Sequence, residues 1–283
     1  MQQVVYSVAK CSVSGHYWMQ NGMTNRTLKD RTAELTVEDC EGFVGHLNKL
    51  PGNSLVKRER VQQLKSAWDW AIERELWEGK NPWTGLHKRV KREDLKPPRP
   101  FSKVEMQAII GCFKDTEPSY APYVWFLFAT GCRTSEAIGL QWKHISEDCS
   151  SVWIGSTLTR GIRQGTKTKK VRTVTVPANI QLMLQDLKTS TPGIDGDSLV
   201  FHAPQGGPIC DNNFRNRAWK PVLERLEIPH RKAYTTRSTF ITHALQGGIS
   251  PGAVAALVGN SPKVIYESYL GSIPGQSILP DIL

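Results

Sequence analysis

Three prolines within four residues, Pro97, Pro98 and Pro100, constrain this chain more than any other feature. Proline fixes φ and removes a backbone donor, so no helix or central strand continues through such a stretch. Residues 88–100 also carry six basic side chains, among them Lys88, Arg89, Lys91 and Arg92. That composition suits a stiff, solvated connector able to lie along a polyanion. The 283 residues therefore divide in two, and each part is long enough to bury its own core. We expect a small helical domain over 33–96 and a larger domain over 97–283. Residues 1–32 are polar with weak periodicity and read as an N-terminal arm or an incomplete segment.

Local signals fill in both parts. Thr36 followed by Asp39, and Ser102 followed by Glu105, have the form of capping boxes that open helices. Over 54–78 an apolar stripe of Leu55, Val61, Leu64, Trp68, Ala71, Ile72 and Leu76 predicts a long helix ended by Asn81-Pro82. Its flank of Lys57, Arg58, Arg60 and Lys65 is expected to face solvent or a ligand. The run 123–129 is apolar all round, as in a helix buried mid-domain, and too short to span a bilayer. Residues 151–158 and 171–176 alternate and are rich in β-branched side chains, predicting a hairpin with an exposed basic turn. Asp211, Ser250-Pro251 and Ser261-Pro262 mark later helix starts. The expected fold class is mainly α, a small all-helical domain plus a mostly helical one with a small antiparallel sheet.

A net charge of +10 favours a polyanionic partner, because each Lys or Arg that meets a phosphate releases a condensed counterion. The six cysteines are scattered, with neither a CxxC pair nor histidines at ligand spacing. This favours free thiols in a reducing compartment over a zinc site or a disulfide framework. No apolar run directs the chain to a membrane, so a cytoplasmic, nucleoid-associated protein is expected.

Four segments carry the chemistry. Residues 129–140 read Ala-Thr-Gly-Cys-Arg-Thr-Ser-Glu-Ala-Ile-Gly-Leu, with Arg133 in a turn opening a helix and Glu136 three residues on. Lys167, Lys169 and Lys170 crowd the turn before Arg172; Tyr234 and Arg237 share 234–241; Asn260 and Tyr269 share 259–271. Taken alone each has a plainer explanation: an Arg133–Glu136 ion pair, a basic hairpin tip, a packing tyrosine. Together, two arginines, a lysine and a C-terminal tyrosine in this order resemble the active-site set of the tyrosine recombinases, the phage-integrase family. The resemblance covers roughly 33–270 and is strongest over 129–142 and 234–271.

The resemblance implies that Arg133 and Arg237 clamp a scissile phosphate, for which a permanently charged fork is well suited. It implies that Glu136 orients Arg133, that Lys167 protonates the leaving 5′-oxygen, and that Tyr269 is the nucleophile. Tyr266, one turn earlier, is the nearby competitor and reads as core. The sequence departs from the family pattern twice, with Tyr234 and Asn260 where imidazole or indole is expected. Both can donate hydrogen bonds, but neither is a base poised near neutrality. His230, a few residues upstream of Tyr234, reads as an ordinary loop histidine. Implied partners are double-stranded DNA, a homotetramer on paired sites and accessory DNA-bending proteins, with DNA contacts from Arg58, Lys65, Lys88, Arg89, Lys91, Arg92, Lys169 and Lys170. No metal and no cofactor are implied. A type IB topoisomerase and a non-cutting DNA-binding protein of the same fold remain open alternatives.

Overall fold

The computed structural model describes residues 35–91, 99–159, 161–165, 171–191 and 193–269. The chain divides into two compact units, 1–95 and 96–283.

In the first unit, α1 (Val37–Lys49) opens on the Thr36–Asp39 capping box and α2 (Ser54–Glu73) on an Asn53 cap. Cys40, Phe43, Val44 and Leu47 of α1 meet Val61, Leu64 and Trp68 of α2, and Trp83, Leu86 and Val90 close the core. Three expectations need correction. First, α2 stops at Glu73, and Asn81 instead folds back to donate to the Lys65 carbonyl at 2.9 Å and to Asp69 at 2.7 Å. Second, Leu55 and Leu76 are exposed, while Lys57 is buried and donates to the Leu50 carbonyl at 2.6 Å. Its ammonium thus satisfies a carbonyl at the end of α1 where a cation is favoured. Third, the expected connector begins late: residues Leu86–Arg89 form a 3₁₀ turn, Val90 is buried, and Asn48 bonds the Arg89 carbonyl and the Lys91 amide.

The second unit is built on α3 (Lys103–Thr116), capped by the Ser102–Glu105 box, and α4 (Ala121–Thr130). Tyr123, Phe126 and Leu127 of α4 are fully buried, and Phe113 stacks on Phe214 and Trp219. A short α5 (Thr134–Ile138) follows. The expected single hairpin is two antiparallel ribbons: β1 (Ser151–Ile154) pairs with β4 (Arg172–Thr175), and β2 (Ser156–Thr159) with β3 (Ile162–Gly165). Pairing changes partner at Gly155 because the second ribbon lies on α5, where Arg163 donates to the Gly139 carbonyl at 2.7 Å. Then come α6 (Ala178–Ser190) and α7 (Asp211–Phe214), which continues through a π-helical turn, Arg215–Trp219, into α8 (Lys220–Arg225). Asp211 stands inside the first turn of α7 and caps nothing with its side chain; Cys210 holds the N-cap position.

Three more helices follow among the described residues: α9 (Thr235–Gln246), α10 (Pro251–Val258) and α11 (Pro262–Tyr269). They bury Ile241, Leu245, Val254, Val258, Ile265 and Tyr269 together. The start of the unit is stapled to α9, since the Phe101 amide donates to Thr239 at 2.9 Å and His243 bonds the Phe101 carbonyl. Among the described residues no helix is long and apolar enough to cross a membrane, and no cluster of His, Cys, Asp or Glu could hold a metal. Cys40, Cys112, Cys132, Cys149 and Cys210 are free thiols.

Gly131, which ends α4 at φ 60°, tests this packing. A Cβ there would stand 2.5 Å from the Phe240 ring, and the left-handed backbone disfavours any side chain. Gly131→Ala should cost about 1–3 kcal/mol, read as a lower urea midpoint at unchanged slope. A midpoint equal to that of the parent would show that α4 and α9 pack more loosely than described.

Candidate active site

Arg237 is the centre of the site and is almost fully enclosed, 1% exposed. Two helices, α4 and α10, end in left-handed glycines, Gly131 and Gly259. Their last carbonyls turn toward one guanidinium: Nη1 donates to Gly131 O at 2.8 Å and Nη2 to Val258 O at 2.7 Å. A cation facing helix C-termini is electrostatically favoured, which offsets part of its desolvation. Burial still lowers the Arg237 pKa, with Arg133 and Arg172 adding to the depression and Tyr234 and Glu136 opposing it.

Arg133 occupies the N-cap of α5 and remains partly accessible. Its Nη1 donates to Glu136 Oε1 at 2.7 Å and its backbone amide to Oε2 at 2.9 Å. The simple ion pair considered from the sequence is therefore present, and it fixes the direction of the remaining guanidinium edge. Nη2 of Arg133 and Nη2 of Arg237 both donate to Asn260 Oδ1, at 3.4 and 2.9 Å. A guanidinium has donors only, so the atom between the two arginines must be the amide oxygen.

Glu136 is 2% exposed. Burial pushes its carboxyl up, but Arg172, by hydrogen bond and charge, and then Arg133 outweigh this and hold it below the ordinary carboxylate range. Sequence reasoning missed Arg172, which donates from Nη2 to Glu136 Oε2 at 2.8 Å and from Nε to the Leu257 carbonyl at 2.8 Å. The available signal was an arginine at the head of a strand otherwise made of threonine and valine. Cys132, next to Arg133, is buried, and its thiol is pushed up to about 11 chiefly by burial, then by Glu136.

The two candidate tyrosines have exchanged environments. Tyr266 is 53% exposed and Tyr269 9%, the reverse of Tyr266 as core. Ile265 and Tyr269 are four residues apart and share the buried face of α11, whereas Tyr266 points about 100° from Ile265, on the solvent side. The Tyr269 hydroxyl lies 3.4 Å from Ser238 Oγ, on the residue after Arg237. Tyr234 precedes the first turn of α9 and is half exposed. His230 is an exposed loop residue.

The basic residues outside this centre differ in availability. Lys88, Arg89 and Lys91 are exposed, with Arg89 paired to Glu41 at 2.8 Å. Arg58 is half-buried, and Lys65 is engaged by Asp69 at 2.5 Å. Lys167, Lys169, Lys170 and Arg92 lie outside the described residues.

Comparison with known proteins finds a family and a fold for the chain. The model of the phage integrase family matches residues 101–271. A XerC-like tyrosine recombinase of Caldanaerobacter subterraneus subsp. tengcongensis is 26% identical over 249 residues, covering 75% of this chain and 61% of the relative. The tyrosine recombinase XerD of Corynebacterium glutamicum is 30% identical over 153 residues, 52% of this chain and 46% of the relative. The chain thus spans about half to three fifths of these two curated relatives. Among solved structures, the Tn1549 transposon integrase in complex with a circular intermediate DNA superposes with a TM-score of 0.71 at 17% identity, covering 92% of this chain and 94% of that one. A lambda integrase dimer bound to a COC′ core site gives 0.64 at 12% identity, covering 96% and 75%. The solved structures establish the fold, mostly helical with small antiparallel ribbons. With the family model matching 171 of its 283 residues, the chain belongs to the phage integrase family.

Proposed function

We propose that this chain is a site-specific recombinase that cuts and rejoins DNA strands through a 3′-phosphotyrosyl link. The observation that carries the reading is the convergence of Arg133 and Arg237, from separate helices, onto the amide oxygen of Asn260. Two guanidinium edges that share a single oxygen acceptor are spaced to share a phosphate oxygen in its stead. In this reading the phosphate displaces the Asn260 oxygen, and the arginines stabilise the charge that builds as phosphorus becomes five-coordinate. Asn260 and Tyr234 then act as hydrogen-bond donors in place of imidazole or indole.

Tyr269 attacks phosphorus and releases its phenol proton to solvent, the P–O5′ bond breaks, and Lys167 gives its proton to the departing oxygen. The new ester keeps the bond energy for rejoining, so the cycle needs neither ATP nor a metal. Ser238, 3.4 Å from the Tyr269 hydroxyl, supports a nucleophile held beside Arg237. The exposed cations Lys88, Arg89 and Lys91, together with Arg58, Arg92, Lys169 and Lys170, would grip the flanking backbone. Lys65 is a weaker candidate, its ammonium being taken by Asp69. We further propose 33–96 as the core-binding domain, 97–283 as the catalytic domain, and a tetramer on paired sites, with accessory DNA-bending proteins where the site requires them.

The test is a nicked duplex taken from the sequences flanking the gene, incubated with protein in the presence of a chelator. A protein–DNA band that survives detergent supports the reading; binding without such a band favours a non-cutting DNA-binding protein. Relaxation of plasmids that lack the site would favour a topoisomerase instead. Within the same assay Lys167→Ala should cleave ordinary DNA about 10²–10⁴-fold more slowly, the usual cost of losing a general acid. A bridging 5′-sulfur needs little protonation, so such DNA should restore the rate. An equal defect on both substrates would reduce Lys167 to a phosphate contact.

A further inference from the structure

One buried carboxylate, Glu136, is shared by two arginines that differ in what else they can reach. Arg133 keeps 21% of its side chain accessible, whereas Arg172 keeps 8% and spends its guanidinium inside the protein. Arg172 grips both Glu136 oxygens, Nη2 to Oε2 at 2.8 Å and Nη1 to Oε1 at 3.4 Å, while Nε closes on the Leu257 carbonyl. Gly259 lies directly against it: a Cβ there would be 2.8 Å from Arg172 Nη1. The same side chain therefore supports Glu136, which aims Arg133, and the 257–259 turn, which delivers Asn260.

We infer that Arg172 is a positioning residue for strand cleavage, holding Glu136 and the turn before Asn260 so that Arg133 and Asn260 meet the substrate phosphate, without touching that phosphate itself. This rests on the recombinase reading above. A buried carboxylate accepting from two forked cations has little freedom to rotate, whereas with Arg133 alone it could swing and carry Arg133 with it. The groups facing Glu136 are Arg133 from the head of α5, Arg172 from β4, Arg237 from α9, and the Cys132 thiol, which stays neutral. Burial is the strongest influence on this carboxyl and acts to raise its pKa; Arg172 is the chief influence opposing it. Removing Arg172 should therefore let Glu136 take up a proton at a higher pH, and a neutral Glu136 no longer fixes Arg133.

The experiment is single-turnover cleavage at saturating DNA between about pH 5 and 8, where paired carboxylates of folded proteins ordinarily stay ionised. Arg172→Ala should cleave about 10²-fold more slowly near neutrality, the cost of roughly 1 Å of misplacement at a reacting centre. Its DNA affinity should stay within a few-fold of the parent, and its rate should fall further as the pH is lowered through a range in which the parent is flat. Glu136→Gln should lack that acid limb, and adding Arg172→Ala to it should cost clearly less than the sum of the two single losses, because the Glu136 contact is already lost and only the hold on the Leu257 carbonyl remains to be removed. The defect should be the same on DNA with a bridging 5′-sulfur, since leaving-group protonation is not what is lost. If Arg172→Ala does not fold, Arg172→Lys serves: it keeps a charge beside Glu136 but loses the fork, so it should bind DNA normally and cleave slowly. Parent-like rates, a pH profile parallel to the parent, additive losses with Glu136→Gln, or rescue by sulfur would each overturn the inference alone. A parent protein that binds DNA and never cleaves it would overturn the recombinase reading and this inference with it.

Discussion

Tyr269→Phe should bind DNA with the affinity of the parent protein and form no covalent adduct at all. The phenyl ring keeps its place among Ile241, Val254 and Ile265, so the fold and the arginine pair are preserved while the attacking oxygen is gone. Tyr266→Phe should retain cleavage within a few-fold, because its ring lies on the exposed face of α11. The pair of variants is checked by denaturing gels on a nicked substrate. An adduct that persists in Tyr269→Phe and disappears in Tyr266→Phe would mean that α11 turns over before reaction.

Arg237 should be the most costly residue to alter, because structure and chemistry draw on the same side chain. Arg237→Ala leaves the Gly131 and Val258 carbonyls without their donor, and hydrogen bonds to a charged group contribute roughly 1.5–3 kcal/mol each. A loss of about 2–5 kcal/mol is a large fraction of a domain's stability and should show in thermal unfolding. Arg237→Lys separates the two roles. An ammonium can satisfy one carbonyl but cannot fork between two helices and a phosphate. It should fold with a modest loss of stability while cleavage falls about 10²–10³-fold, the usual cost of removing a donor aimed at developing charge. Cleavage by Arg237→Lys close to that of the parent would confine Arg237 to a structural part.

What the sequence made legible was what local chemistry decides. The boxes at Thr36–Asp39 and Ser102–Glu105 are formed by residues three apart and need no partner element. The apolar run of α4 could only be buried. Arg133, Arg237 and Asn260 could be nominated because their motifs resemble those of the phage-integrase family, though not that both arginines would bond the Asn260 oxygen.

Several of the readings that needed correction depended on which way a helix or strand faces. Lys57 lies one turn before Val61 on α2, and only the position of the Leu50 carbonyl explains why its ammonium turns inward. Val90 sits among basic residues that look like a connector, yet the first core needs an apolar plug there. Tyr266 and Tyr269 differ by three positions, and the packing of α11 on α9 and α10 decides which is hidden. Arg172 has no role legible in the sequence, because its partner Glu136 stands 36 residues earlier in the chain.

The most direct test of the account is to trap the parent protein on a suicide duplex, digest it, and identify by mass spectrometry the peptide that carries nucleotide and the DNA end attached to it. The account predicts a peptide containing Tyr269 joined to a 3′-phosphate, with a free 5′-hydroxyl on the released strand. Attachment at Tyr266, a 5′-phosphoryl linkage, or saturated binding that yields no linked peptide would contradict it.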